Sequence, residues 1–372
     1  MMRHGLFFIL CLSACAPAPE PVRQTDFSLD VGTALGGENT QGFLQADAPR
    51  SFSFPADHTL HPGFRNEWWY FTGNLFTEDG RHFGYQVTFF STALSAADLT
   101  ATGWESPRIW MAHVAITDTA AQEHLALERF ARENPGLAGA EAEPFRVWLE
   151  NWSLASGPSA QGGFPWYLSI RDEAFELSLQ LEPLKAPVLQ GDQGLSQKSP
   201  EPGNASYYYS ISRLASRGTL VLAGQTFELS GSSWLDREWS TSALADDQSG
   251  WDWFSLQFDE GQELMYYQLR DKAGNAHPNS DGNWTSVDAQ QTRIAQDEIV
   301  LEELRTWTAP NGVNYATEWL LTYRDQRWLI RALVEDQFMN LSVPYWEGAV
   351  EILDPDSEEN LGYGYLEMVR SP

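Results

Sequence analysis

The chain has 372 residues, of which 42% are hydrophobic, so it is long enough for two ordinary domains or one large β-rich body. Its formal net charge of −28 excludes nucleic acid as a partner and disfavours docking on anionic lipid, because both need clustered Lys and Arg. The 16 Trp, 13 Tyr and 20 Phe favour strands, with either a filled aromatic core or a cavity for an apolar ligand.

The first fourteen residues have the three parts of a secretory signal. Arg3 and His4 are followed by an apolar run over residues 6–12, which is shorter than the roughly 20 residues that span a bilayer. Leu12-Ser13-Ala14-Cys15 resembles the bacterial lipobox, so we expect cleavage before Cys15 and lipidation of its thiol. Ala16 follows, which by resemblance to Gram-negative lipoproteins favours the periplasmic face of the outer membrane. The alternative is an ordinary signal peptide with a chance cysteine.

Cys11 and Cys15 are the only cysteines, so the mature chain cannot form an internal disulfide. Residues 15–48 are rich in Pro, Gly and Ala, which is typical of a flexible tether. Two folded domains are expected beyond it, at residues 49–240 and 241–372.

Hairpins dominate the folded part. Strand-like runs flank short turns at 68–75 with 82–90, 166–170 with 175–181, 219–223 with 226–230, 251–258 with 263–269, and 319–323 with 328–334. Single strands are expected at 145–152 and 362–368. Residues 121–132 have some helical periodicity, and residues 185–206 have the composition of a long loop. The pattern predicts antiparallel sheets closed into barrels or packed as sandwiches.

The first cluster of candidate functional residues covers positions 61–73. In a strand, Glu67, Trp69 and Phe71 would share one face, and Trp68, Tyr70 and Thr72 the other. A carboxyl group at the edge of an aromatic surface has a raised pKa and can serve as a proton donor. The alternative is an ion pair, with Arg65 as a candidate partner.

The second cluster, residues 231–240, places Asp236, Arg237 and Glu238 between Trp234 and Trp239. An inward carboxyl group beside a tryptophan could protonate an alkene or an enol. The alternative is a structural Asp–Arg–Glu network that pins a domain junction.

The third cluster, residues 250–253, is Gly-Trp-Asp-Trp, and residues 265–267 (Met-Tyr-Tyr) lie across its hairpin. Alternation predicts that Asp252 points away from Trp251 and Trp253, and cross-strand aromatic pairing is the simplest explanation. No Gly-rich phosphate loop or Gly-x-Ser-x-Gly elbow is present. A metal site of His58, His61 and His113 is disfavoured, so neither a metal nor a cofactor is expected.

These clusters together, with Gly84-Tyr85-Gln86-Val87-Thr88-Phe89-Phe90, resemble the AttH-like family over about residues 50–370. Its members are often described as predicted secreted hydrolases or lipocalin-like proteins, and it is related to the carotenoid 1,2-hydratases. The resemblance implies an all-β fold of two consecutive lipocalin-like (calycin) antiparallel barrels, with the ligand region near their junction.

In the hydratase branch, the segment that matches residues 236–239 carries a histidine and a tryptophan linked to catalysis, followed downstream by a tyrosine and an aspartate. Here Trp239 is retained, and Arg237 stands where the histidine would be. Arginine cannot deliver a proton near neutral pH. Tyr266 or Tyr267 is the candidate for the tyrosine, and Asp271 for the aspartate. Relatives often accompany ABC exporter permeases, which implies a role as an envelope partner.

Two functions therefore stay open. The first is binding of an apolar lipid- or isoprenoid-like ligand, with the candidate contacts Trp69, Tyr70, His113, Arg237, Trp251, Trp253 and Tyr267. The alternative is an enzyme related to the carotenoid hydratases that acts on an isoprenoid alkene by acid catalysis, or a hydrolase. Its candidate catalytic residues are Glu67, Asp236, Glu238, Trp239 and Tyr266.

Overall fold

Two antiparallel β-sheets, each curled into a near-barrel, form the protein in a computed structural model that describes residues 40–158, 163–242 and 244–370. Cys15 and the signal segment lie outside these residues. Among the described residues, helix is limited to three short 3₁₀ segments, Ala56–His58, Gly103–Glu105 and Gln296–Glu298. None of the helices in these ranges is long and apolar enough to cross a membrane.

The first sheet has 13 strands. They are β1 (Asn66–Phe76), β2 (His82–Ala93), β3 (Arg108–Asp118), β4 (Glu123–Arg132), β5 (Ala138–Ala142), β6 (Phe145–Leu149), β7 (Trp152–Ser156), β8 (Trp166–Arg171), β9 (Phe175–Pro183), β10 (Val188–Leu189), β11 (Leu195–Gln197), β12 (Ala205–Leu222) and β13 (Gln225–Ser240). The strand order is β4-β3-β2-β1-β13-β12-β9-β8-β7-β6-β5, and β10 and β11 pair with β12.

The second sheet has 10 strands. They are β14 (Gln248–Phe258), β15 (Glu263–Asp271), β16 (Asp281–Thr285), β17 (Gln291–Ala295), β18 (Ile299–Thr308), β19 (Asn314–Tyr323), β20 (Gln326–Ala332), β21 (Phe338–Met339), β22 (Tyr345–Leu353) and β23 (Asn360–Arg370). The order is β17-β16-β15-β14-β23-β22-β20-β19-β18, and β21 pairs with β22.

The predicted hairpins are confirmed, and two of them extend further than expected. The turn at residues 77–81 joins β1 to β2. The turn at residues 223–224 joins β12, which is 18 residues long, to β13, which is 16 residues long. In β9, Phe175, Leu177 and Leu179 are buried while the residues between them are exposed. This is the period-2 pattern of a strand with one solvent-exposed face.

One expectation from the sequence is wrong, and one strand is not predicted by it. The weak helical periodicity of residues 121–132 does not produce a helix, and Glu123–Arg132 is strand β4, which pairs with β3 along its whole length. Residues 185–206 are not one loop, because β10 and β11 add two short strands to β12. In both places pairing with a neighbouring strand overrides local preference.

Each barrel has its own apolar core, and a third buried cluster lies between them. The first core contains Trp69, Trp110, Trp166 and Trp239, and the second is built around Trp319 and Trp346. The cluster between the barrels combines side chains of both sheets, among them Tyr70, Tyr208, Trp234, Trp253 and Tyr267. The barrels therefore meet through aromatic packing.

A buried ion-pair cluster also joins the barrels. Glu263 on β15 is fully buried and accepts hydrogen bonds from Lys185 Nζ (2.7 Å) and Arg213 Nε (2.6 Å), which belong to the first barrel. Arg213 also donates to the Phe258 carbonyl oxygen at 2.9 Å. These contacts hold the loop between β14 and β15 against the first barrel.

Candidate functional site

The alternation of side chains along β1 and β13 separates two environments. The strands pair antiparallel, with Trp69 opposite Arg237 and Tyr70 opposite Asp236. Trp69 and Trp239 belong to the core of the first barrel. Tyr70, Asp236 and Glu238 line a cavity between the barrels. The predicted division of residues 67–72 into two faces is therefore confirmed, and the cavity lies behind the even-numbered face.

The cavity between the barrels has a volume of about 180 Å³. Both sheets contribute to its walls, which are mainly aromatic and aliphatic with a few polar groups. The lining residues are Trp68, Tyr70, Thr88, Phe90, Thr92, Met111, His113, Lys198, Ala205, Ser206, Tyr208, Asp236, Glu238, Ser240, Ser242, Leu244, Trp251, Trp253, Tyr267, Leu269, Val343, Tyr345, Glu367 and Val369.

Asp236 is the most heavily hydrogen-bonded carboxyl group of the cavity. Its Oδ1 accepts from Ser210 Oγ at 2.5 Å and from Trp234 Nε1 at 2.6 Å, and its Oδ2 accepts from the Tyr208 hydroxyl. Trp253 Nε1 in turn donates to the Tyr208 oxygen at 3.1 Å. Burial, with a contribution from the charge of Glu238, raises the pKa of Asp236 to about 7 despite these donors. Asp236 can thus hold or release a proton near neutral pH.

Glu238 lies two residues further along β13 and is paired with a lysine. Lys198 Nζ lies 3.2 Å from Glu238 Oε1, which also accepts a hydrogen bond from Ser206 Oγ. The same ammonium group lies over the ring of Tyr267, 4.2 Å from its centroid. Burial alone would lower the pKa of Lys198, but the Glu238 carboxylate raises it above its ordinary value. Lys198 is therefore a cation inside the cavity.

The second barrel adds Glu367 to the cavity wall. The indole N–H of Trp251 donates to Glu367 Oε1 at 2.5 Å. Burial, together with the charges of Asp236 and Glu238, raises the pKa of Glu367 to about 7. Glu347 on β22 is fully buried beside the hydroxyls of Tyr70 and Tyr345, and burial raises its pKa well above the ordinary range. Several carboxyl groups thus share one poorly solvated region.

Glu67 and Arg237 form a separate buried pair inside the first barrel. The Arg237 guanidinium donates to the Glu67 carboxylate, and Glu67 also accepts from His61 Nδ1 at 2.7 Å. Arg237 lies 3.9 Å from the centroid of Trp69, and the His61 ring stacks on Trp239 at 3.7 Å. Although burial opposes it, the charges of Arg237 and His61 lower the pKa of Glu67 to about 2. Glu67 is therefore ionised and ion-paired, and its partners are Arg237 and His61.

The remaining candidate residues divide between the cavity and other places. Trp251, Trp253, Tyr267 and His113 line the cavity, and His113 forms hydrogen bonds with Tyr345 and Glu128 across 2.9 and 3.0 Å. Tyr266 lies in the core of the second barrel. Four of the predicted residues therefore face the interior of the first barrel instead of the cavity. They are Glu67, Trp69, Arg237 and Trp239.

Asp252 points away from Trp251 and Trp253, as alternation predicts, and pairs with Arg270 and Arg370. Asp236, Arg237 and Glu238 do not form the ion-pair network that was the alternative from the sequence. Arg237 lies on one face of β13, and Asp236 and Glu238 lie on the other. Within the described ranges, no three His, Cys, Asp or Glu side chains are grouped as metal ligands.

The sequence signature of the AttH-like family matches residues 45–370, a span that covers both barrels and every residue of this site. The chain belongs to the AttH-like family. No curated protein matches the sequence.

Solved structures show the same two-barrel fold. An AttH of Nitrosomonas europaea is 29% identical with a TM-score of 0.76, and the match covers 87% of this chain and 99% of that one. Kievitone hydratase of Nectria haematococca is 14% identical with a TM-score of 0.66, covering 88% and 96%. CghA, solved with Sch210972, is 14% identical with a TM-score of 0.52, covering 89% and 97%. The last two likenesses show the fold alone.

Nine polar cavity residues of this AttH-like protein were not among the candidates from the sequence: Thr88, Thr92, Lys198, Ser206, Tyr208, Ser240, Ser242, Tyr345 and Glu367. Lys198 lies in the segment whose composition indicates a loop, and Glu367 lies on the last strand, without a neighbouring motif. Two of these residues, Tyr208 and Ser206, could have been found from alternation along β12. They share a face with Ser210, which lies opposite Asp236 because β12 pairs with β13.

Proposed function

We propose that this AttH-like protein binds an apolar small molecule in the cavity between its two barrels. The single observation that carries the proposal is the make-up of this cavity, in which aromatic and aliphatic walls surround a few convergent polar groups. Pockets of this composition are typical of small-molecule sites. The apolar area that such a ligand would remove from water stabilises a complex by roughly 25 cal/mol per Å².

The barrel interior offers less room for a ligand. The large side chains Trp69, Trp110, Trp166 and Trp239 are fully buried inside the first barrel, and His58 and Phe52 pack against this aromatic cluster. The second barrel is filled around Trp319 and Trp346. A ligand site at the junction is therefore favoured over a site inside either barrel.

Native mass spectrometry of the protein, isolated from its own envelope without detergent exchange, tests this proposal. We expect a bound apolar molecule in the unaltered protein and its loss in Thr92→Phe, since Thr92 lines the cavity. Thr306→Phe, on an exposed position of β18, is the matched control and should keep the ligand. Equal ligand content in all three proteins would refute the cavity as the binding site.

Acid catalysis is the second candidate function, and Asp236 is the observation that favours it. Its carboxyl group has a pKa of about 7 and is held among aromatic rings. In a hydration, the carboxyl proton would move to one alkene carbon. A water molecule would then add to the cationic carbon and release a proton that restores the acid. The indole and phenol rings around Asp236 would stabilise the cation. The fold shared with kievitone hydratase agrees with this candidate.

Turnover of an isoprenoid alkene by the unaltered protein, and by Asp236→Asn, separates the two functions. Acid catalysis predicts at least a roughly 100-fold loss of rate in Asp236→Asn, because general acids contribute about 10² to 10⁴. Retained binding with no turnover in either protein would leave binding as the function. Retained turnover in Asp236→Asn would exclude this carboxyl group as the acid.

We also propose the location and partner that the sequence implies. Lipidation of Cys15 would hold the protein at the periplasmic face of the outer membrane, close to membranes rich in apolar ligands, and an ABC exporter would be its partner. The lipobox-like segment 12–15 supports the first part. Cys15→Ser should move the protein from the membrane fraction to the soluble fraction. Unchanged membrane association in that variant would contradict lipid anchoring.

A further inference from the structure

The negative charges of the cavity exceed its positive charges. Asp236, Glu238 and Glu367 line it, and Lys198 is the only Lys or Arg among its lining residues. Lys198 pairs with Glu238, at 3.2 Å. Asp236 and Glu367 form no ion pair with any residue of the described ranges and are held by neutral hydrogen-bond donors. Two carboxyl groups therefore face the cavity without a counter-charge.

Ionised carboxyl groups buried in this cavity raise the free energy of the folded protein unless a cation neutralises them. Burial disfavours the charged form, and mutual repulsion adds to this cost. The pKa values of Asp236 and Glu367 are both raised to about 7, with burial as the main cause and neighbouring carboxylates as a further one. A cation that entered the cavity would relieve the repulsion that raises them.

A second, independent observation points to a ligand at this place. The Tyr70 residue is 6% exposed, and its side chain lines the cavity between the barrels. Its hydroxyl lies beside the Glu347 carboxyl, but neither group has a well-aligned hydrogen-bond partner among the described residues. Buried polar groups with imperfect hydrogen bonds are commonly completed by water or a ligand.

The aromatic walls are suited to a cation. The Lys198 ammonium already lies over the Tyr267 ring at 4.2 Å from its centroid, and over Tyr208 at 5.5 Å. The indole N–H of Trp251 donates to Glu367, and Trp253, whose N–H donates to the Tyr208 oxygen, packs edge-to-face with Tyr70 and Trp234 in the cavity wall. Aromatic faces combined with carboxylates are the usual environment of ammonium ligands.

We propose that the ligand of the inter-barrel cavity is an apolar molecule with a cationic amine or quaternary ammonium group, which lies between Asp236 and Glu367. The apolar body contacts apolar lining residues such as Trp68, Phe90 and Leu269. This inference rests on the proposed binding function and specifies its ligand class. A neutral ligand that accepts hydrogen bonds from protonated carboxyl groups is the competing outcome.

The pH dependence of binding distinguishes a cationic from a neutral ligand. A cation binds the ionised carboxylates, so its affinity should rise as the pH passes upward through about 7. A neutral hydrogen-bond acceptor binds the protonated groups, so its affinity should fall over the same range. The charged or titratable groups that line the cavity, apart from tyrosines, are Asp236, Glu238, Lys198, His113 and Glu367, and Glu347, Glu128 and Asp281 lie beside them.

Three probes with the same decyl chain test the proposal on the full-length protein below their micellar concentrations. They are decyltrimethylammonium, decyldimethylphosphine oxide and decyl sulfate, which are cationic, neutral and anionic. Calorimetric titration should show the ammonium probe binding about 10-fold more tightly than the phosphine oxide at pH 8, in line with the strength of desolvated cation–π and charge pairs. The preference should shrink several-fold at pH 6.

Glu367→Gln should reduce this preference about 5-fold or more, because it removes one charge while its side-chain carbonyl can still accept from Trp251. Glu260→Gln, in the exposed turn after β14, is the matched control and should leave the preference unchanged. Should Glu367→Gln not fold, the pH series on the unaltered protein still decides. Equal or tighter binding of the neutral or anionic probe would overturn the inference but not the binding function. If none of the probes binds, the binding function fails as well.

Discussion

Arg237 is a buried cation inside the first barrel. Its guanidinium contacts the Glu67 carboxylate, donates to the Trp68 and Thr59 carbonyl oxygens, and stacks on Trp69. Both Arg237 and Glu67 are almost fully buried. Removal of Arg237 therefore leaves the buried Glu67 carboxylate with His61 as its only side-chain partner, and loss of one member of a buried pair costs more than the pair itself contributes. The pair has a structural role, at the opposite side of the sheet from the cavity.

Arg237→Met should lower the free energy of unfolding by about 3–5 kcal/mol, the range seen when a buried ion pair loses one member. Urea denaturation followed by tryptophan fluorescence measures this change. Arg217→Met is the control, since Arg217 is exposed on β12 and pairs weakly with Glu182 at 3.7 Å. A loss for Arg237→Met no larger than that of the control would show that the guanidinium is dispensable for stability.

The pKa of Glu67 predicts a pH dependence of stability. Because its folded-state pKa of about 2 lies below the ordinary value of 4.5, the ionised group stabilises the protein above pH 4.5. That contribution is lost as the pH falls from 4.5 towards 2. Glu67→Gln should therefore show a smaller decline in unfolding free energy over this range, as measured by urea melts at several pH values. Parallel declines in both proteins would contradict the assignment.

The sequence predicts the two faces of residues 67–72 but not the partner of Glu67. Alternation within one strand is local, so it can be read from a few residues. Glu67 and Arg237 are 170 positions apart and meet only because β1 pairs with β13. The same pairing places Asp236 opposite Tyr70, which no local pattern could have indicated.

Strand β13 determines how the candidate site is built. It pairs with β1 on one side and β12 on the other, so its two faces carry the barrel's ion pair and the cavity's carboxyl groups. At Gly231, a Cβ atom would collide with the backbone carbonyl of Asn74 on β1. Only glycine lets β1 and β13 approach this closely, and the register of both faces depends on that approach.

Gly231→Ala should destabilise the protein by about 1–3 kcal/mol, since the collision is with backbone that cannot move without disturbing the sheet. Thermal and urea unfolding measure the effect. Gly136→Ala is the matched control, because a Cβ there meets only the Asn134 side chain at an ordinary 3.5 Å. Unchanged stability in Gly231→Ala would mean that the two strands are not held in this register.

Element prediction succeeded where turn chemistry and alternation agreed, as in the hairpin of β1 and β2 with its Asp-Gly turn. It missed strand β4, where a weak helical periodicity hides residues that pair with β3. It failed at β10 and β11, which are strands of two and three residues without a pattern long enough to detect. Tertiary pairing decides in both cases.

The whole molecule places its cavity at the junction of two domains, so the shape of the cavity depends on how the barrels are held together. Besides the aromatic cluster, Gln257 donates to the Ser212 carbonyl oxygen at 2.7 Å, and Asn74 donates to that of Gly364 at 3.1 Å. The Glu263 carboxylate accepts from Lys185 and Arg213. The family resemblance predicted the two barrels, whereas these junction contacts depend on the assembled fold.

Glu263→Ala should loosen the junction, because Lys185 and Arg213 are then left partly buried without their anion. We expect about 2–4 kcal/mol of lost stability, separation of the calorimetric melt into two transitions, and weaker binding of apolar probes. Glu260→Ala, exposed in the adjacent turn, serves as the control. A single unshifted transition in Glu263→Ala would argue against this cluster as the link between the barrels.

The space between the barrels is the proposed ligand site. Crystals soaked with a neutral brominated aromatic probe, such as 4-bromobenzyl alcohol, test this site through the anomalous scattering of bromine. We expect an anomalous peak in the cavity between the aromatic walls of Trp68 and Trp253. A bromine peak inside either barrel, or no peak in the cavity at a saturating probe concentration, would contradict it.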